Sequence, residues 1–232
     1  MTEAEWRRSD DPHAMLESLR EMGLTERKTR LMAVACCRLI WDLFDDERSQ
    51  RAVEVAEGFA DGLVGVDELR AASQAAMAPW FLAGQAMSEQ GEAPENDPRA
   101  APLAAAYYTA WEEELFPGQY AASVLWCVGE CRPAVRPHVA GLVRCVFGDA
   151  FRGLSSVGPA LLSKGNLILQ LARAAYDNRE LPEGRLDNGR LAVLADALEE
   201  AGLTDEGMLT HLRSAGPHVR GCHALDAILG QD

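Results

Sequence analysis

Residues able to do chemistry gather in two stretches of this 232-residue chain. In the first, Cys127 and Cys131 stand four apart, with His138 and Cys145 downstream, so four donors suited to a soft divalent cation fall within nineteen residues. At helical spacing the two thiols share one face. The pattern lacks the short turn of common zinc knuckles, and its neighbours Val124, Leu125, Trp126 and Val128 are core types. Thiols packed as small apolar groups are therefore the competing reading. The second stretch, Gly216 to Asp226, holds His218, Arg220, Cys222, His223 and Asp226 within nine residues. Read as a helix running from His218 to Leu229, it places His218 and Cys222 on one face and His223 and Asp226 on another. No face then gathers a nucleophile, a base and an orienting acid. The same helix start, with Arg220 nearby, suits an anion or a partner contact.

Catalytic motifs are missing. There is no glycine-rich phosphate loop, no His-Glu-x-x-His, no Gly-x-Ser-x-Gly and no dinucleotide fingerprint. Glu199 and Glu200 are adjacent on a helix and diverge, so they do not form an acid/base pair. The sequence assigns no catalytic or cofactor-binding residue, and no cofactor is expected beyond a zinc ion that its thiols and imidazoles could hold. Cys36 and Cys37 point to different sides of an apolar helix and read as core.

Charge narrows the partners. Lys and Arg total 22 against 36 Asp and Glu, a formal net of −14, which disfavours free nucleic acid. From Gln85 to Leu115 seven acids, including Glu112, Glu113 and Glu114, face one base, Arg99. That acidic middle is either a solvated face or a docking surface for a basic protein. The start of the chain carries acids where a signal peptide needs a basic and then an apolar run, and no stretch reaches the roughly 18 apolar residues of a membrane span. Six cysteines inside helical patterns read as reduced thiols, which predicts a cytoplasmic protein away from membranes.

Helical periodicity must position these groups. Asp11 and Pro12 open a helix that Gly23 closes, and Thr25 caps a longer one carrying Leu31, Val34, Ala35, Leu39 and Leu43 on one stripe. Further helices are expected over 47–63, from Asp67 with a break or kink at Pro79, and over 100–115, 120–131, 137–147, 161–176, 190–201, 205–214 and 218–229. The sum is an all-α bundle of about ten to twelve helices. Prolines and the absence of apolar anchors mark 91–98 as a linker between helical subdomains 1–90 and 99–232.

The run Val34-Ala35-Cys36-Cys37-Arg38-Leu39-Ile40-Trp41 with Asp46-Glu47-Arg48-Ser49, and near the end Val193 to Gly202, His211-Leu212-Arg213 and Gly216 to Cys222, resembles an all-helical bacterial family abundant in planctomycete-type genomes. The resemblance covers the first and last thirds, leaves out residues 77–137, and departs at His223, where an aromatic is expected. It implies the helical fold and carries over no catalytic residue. The function expected is a non-catalytic protein-interaction or scaffold module, a subunit or regulator of a larger complex. It would work through a helical groove, the acidic middle with Glu112, Glu113 and Glu114, or the polar residues His218, Arg220 and His223. Two alternatives stand: a metal- or thiol-dependent enzyme or regulator built on either Cys/His set, and an accessory component of a nucleoprotein or defence complex. The oligomeric state is left open.

Overall fold

Six helices begin by the same device. Thr2, Asp11, Thr25, Asp46, Asp187 and Asp205 each offer a side-chain oxygen to backbone N–H groups of the first turn, which would otherwise go unsatisfied. At Thr2 the box is reciprocal, since Glu5 reaches back to the Thr2 N–H. The computed structural model describes residues 1–89, 100–112, 119–149 and 166–231. Among them it is all-α, with twelve helices and one two-stranded hairpin. The expected linker at 91–98 lies outside the described residues, as do 113–115 and 161–165 of the expected helices.

The helices are α1 (Glu3–Arg8), α2 (Pro12–Met22), α3 (Glu26–Arg38), α4 (Glu47–Ala60), α5 (Val66–Glu89), α6 (Ala101–Thr109), α7 (Gln119–Cys131), α8 (Arg136–Phe147), α9 (Asn166–Asp177), α10 (Asn188–Glu200), α11 (Glu206–Arg213) and α12 (His223–Leu229). Between α9 and α10, β1 (Arg179–Glu180) pairs antiparallel with β2 (Arg185–Leu186). No helix among the described residues is long and apolar enough to cross a membrane. The chain forms two compact units, 10–140 and 1–9 with 141–232. This division differs from the one expected at 91–98, because α6 packs against α3, α4 and α5 as well as α7.

In the unit of 10–140, α3 is the central helix, with every residue from Lys28 to Arg38 buried. Its charged groups survive burial by finding partners. Arg30 donates to the carbonyls of Thr109 and Trp111 at the end of α6, at 2.7 and 3.2 Å, and Arg38 meets Glu57 of α4 at 2.8 Å, both side chains buried. The helix expected to carry its stripe on to Leu43 instead ends at Arg38, and a 3-10 turn, Trp41–Leu43, follows. Of the break or kink expected at Pro79 there is no break, since the helix carrying it continues to Glu89.

In the unit of 1–9 and 141–232, α10 packs on α9 and α11, and α12 packs on α9 and α11. The short α1, which sequence patterning did not single out, seats Trp6 at 1 % exposure. Its indole donates to the Gly148 carbonyl at 3.1 Å, while Arg144 of α8 donates to the carbonyls of Trp6 and Ser9. These bonds pin the last turn of α8 and the turn after it.

Candidate functional site

Four side chains converge in that second unit. Cys145 comes from the last turn of α8, His211 from the last turn of α11, His218 from the segment between α11 and α12, and Cys222 from the N-cap position of α12. One donor atom from each lies within 4.8 Å of every other. Cys145, His218 and Cys222 are buried and His211 is half-buried.

The backbone explains the convergence. The helix expected over 218–229 starts only at His223, because Gly221 sits at φ +81°, a left-handed value that interrupts a helix. Residues 215–222 instead run as a loop held to the hairpin: Leu186 N–H donates to the His218 carbonyl at 2.9 Å, and Val219 bridges to Arg185. His218 is thus turned inward at 2 % exposure, which corrects the expectation that it lies on a polar interaction face. His218 and Cys222 therefore do not share a helix, and the expected separation onto different helix faces does not hold. At the other end, Gly148 at φ +67° lets α12 approach α8, and a Cβ there would meet the His223 ring at 2.8 Å.

Polar contacts fix the set. His211 Nε2 lies 3.2 Å from Cys222 Sγ. His218 Nε2 lies 3.2 Å from both the Ser214 carbonyl and the Ser214 hydroxyl. His218 Nδ1 is buried and has no partner of hydrogen-bond geometry among the described residues. His223 stands beside the cluster with its ring 4.3 Å from that of His211, but its Nδ1–H is spent on the Cys145 carbonyl at 2.9 Å. The two sulfurs are polarised against each other: the hydrogen bond from the Cys145 thiol pulls Cys222 well below the ordinary thiol range, with His211 adding to the effect, and the same bond, with burial, pushes Cys145 up.

The other expected site residues fall elsewhere. Of the first candidate set only Cys145 joins the cluster. Cys127 is buried and Cys131 half-buried in the unit of 10–140, and His138 is exposed on α8. Burial pushes the Cys37 and Cys127 thiols up to about 12 and Cys131 to about 11, the values of inert packed thiols. Arg220 lays its guanidinium on the Tyr176 ring, 5.1 Å from the centroid, and so is a packing residue. Glu112 pairs with Arg70 at 2.8 Å. Glu113 and Glu114 lie outside the described residues, as does most of the acidic middle. His211 is the functional candidate that sequence reasoning missed: nothing at regular spacing links it to Cys222, and only a chain reversal after α11 brings it there.

The unit of 10–140 carries a second feature, an open groove of about 360 Å³. Trp80, Tyr108 and Trp126 line its sides, alanines at 100, 101, 104 and 122 line it between them, and Arg20 and Gln119 add polar groups. The wall is prearranged, because Trp80 stacks on Tyr107 at 5.2 Å and Tyr107 and Tyr108 both touch Trp111. Set against known proteins, the chain matches no family model, no curated protein and no solved structure.

Proposed function

We propose that the protein is a non-catalytic helical binding module whose unit of 10–140 takes an apolar segment of a partner protein into the groove between Trp80, Tyr108 and Trp126. The groove itself carries the reading. Aromatic walls supply large contact area at little entropic cost, alanines leave room for an inserted side chain, and Arg20 and Gln119 offer polar contacts beside it. The helices that supply the aromatic walls also present apolar side chains at the surface. Trp126 is 44 % exposed, and α5, which supplies Trp80, also leaves Met77, Phe81 and Leu82 exposed, Phe81 at 69 %. The Cys/His cluster brings four donors of the chain within 4.8 Å of one another, the number that a closed four-coordinate structural site uses. Six free thiols fit a reducing, cytoplasmic setting.

The test is a groove variant. Ala122→Trp fills the space and Trp126→Ala removes an exposed wall, and neither change disturbs a fully buried residue. The wild-type chain should purify natively with a stoichiometric protein partner that both variants lose at unchanged helical circular dichroism. A photo-crosslinking residue at position 126 should attach to that same partner. A lone monomer at micromolar concentration, or capture that neither substitution alters, overturns the proposal.

A further inference from the structure

We infer that Cys145, His211, His218 and Cys222 form a structural zinc site that ties the end of α8, the end of α11, the 215–222 loop and the start of α12 into one unit. The donor set is two thiols and two imidazoles, the combination that zinc accepts in closed tetrahedral sites. Zinc–nitrogen and zinc–sulfur bonds of about 2.0–2.3 Å at tetrahedral angles place neighbouring donors about 3.3–3.8 Å apart. Here all four donors lie within 4.8 Å of one another, and His211 Nε2 and Cys222 Sγ are 3.2 Å apart. Small side-chain adjustments separate the two arrangements. Two thiolates would also neutralise the dication, so the buried site carries no net charge from its core.

The histidine nitrogens are already sorted for the task. A ligating histidine characteristically donates its other ring N–H to a carbonyl or carboxylate, which fixes the tautomer and the ring plane. His218 does this through Nε2 to the Ser214 carbonyl at 3.2 Å. Its Nδ1 then carries the lone pair, is buried, and is the cluster's orphan acceptor. A buried acceptor without a donor is costly, and a metal bond is the partner that removes the cost. His211 would ligate through Nε2, the atom that faces Cys222. His223, though adjacent, is outside the four whose donor atoms lie within 4.8 Å of one another, and its Nδ1–H supports the Cys145 carbonyl. It is a positioning residue for the backbone that carries a ligand.

All four ligands belong to the protein, so no coordination position is left for a substrate, and the ion's work is mechanical. Cys145 lies 66 residues before His211. The bound ion closes that long loop, and its binding free energy becomes folding free energy for the segments it joins.

Full-length protein purified without chelator should contain about one zinc per chain by elemental analysis. After chelation under reducing conditions, added Co2+ should give the visible absorption of a tetrahedral centre with sulfur-to-cobalt charge transfer, and Zn2+ should displace it. His211→Asn, at the half-buried ligand, and Cys222→Ser should each lower metal content more than tenfold, whereas Cys127→Ser should retain it. Where Cys222→Ser fails to fold, His211→Asn and the cobalt titration of the wild-type chain decide the matter. Less than about 0.1 metal per chain together with no cobalt spectrum overturns the assignment. So does a Cys145–Cys222 disulfide found by mass spectrometry in the native protein.

Discussion

Helix α7 and the 211–222 stretch both carry metal-capable side chains, and they behave in opposite ways. On α7, Cys127 and Cys131 stand at ideal i, i+4 spacing, yet no further donor among the described residues joins them in a ligand-sized group. His211, His218 and Cys222 follow no regular spacing and come together with Cys145. A helix sends its side chains outward, so two neighbours on one face need a second element aimed at them. A loop that reverses direction brings its own side chains inward. Regular spacing therefore marks core on α7, and irregular spacing marks chemistry after α11.

The sharpest way to break that comparison is to change one thiol in each region. Cys222→Ser removes a ligand, and structural zinc in small domains is worth an apparent 10–16 kcal/mol or so, as much as the whole stability of an ordinary domain. The expected outcome is loss of hydrogen-exchange protection across α9–α12 at ambient temperature, reproduced in the wild type by a strong chelator. Cys127→Ser puts a hydroxyl where a thiol packed, and should cost about 1–3 kcal/mol with metal retained. Equal losses from the two substitutions would remove the distinction.

Alkaline titration sharpens the same contrast on a smaller scale. Cys37 and Cys127 are raised from 9.0 to about 12 by burial. Their neutral form is favoured by the fold, so their contribution is complete below pH 9 and is lost as pH rises toward 12. The slope is about 1.4 kcal/mol per pH unit for each thiol. Urea midpoints measured across that window should fall more steeply for the wild type than for a Cys37→Ala, Cys127→Ala double variant. Parallel slopes would mean that these thiols ionise freely.

The smallest effect belongs to the surface. Glu112→Gln removes the pair with Arg70, an exposed contact that solvent and salt screen. The thermal midpoint should not move measurably, and added salt should leave wild type and variant alike. A clear drop would give the acidic middle a structural role that the present contacts do not account for.

Much of the fold is legible in the residues. Asp11 with Pro12, Thr25 and the Gly23 stop give α2 and the start of α3 as observed, because capping chemistry is local. The end of α3 and the continuity of α5 through Pro79 are not, since both depend on what packs against them. At the site, each candidate stretch held part of the answer. Cys145 belonged to one set and His218 and Cys222 to the other. Their union needed a non-local fact, the reversal after Arg213 and the break at Gly221, and His211 had no local signal at all.

Trp6 belongs with residues that follow it at a great distance, for the Gly148 carbonyl it donates to lies 142 positions further along. A ribosome adding roughly 5–20 residues per second exposes that indole for on the order of ten seconds before its acceptor exists. All of 10–140 is synthesised in the interval, before the segment that completes the other unit. The unit of 1–9 and 141–232 can therefore close around its indole only after the other unit has been made.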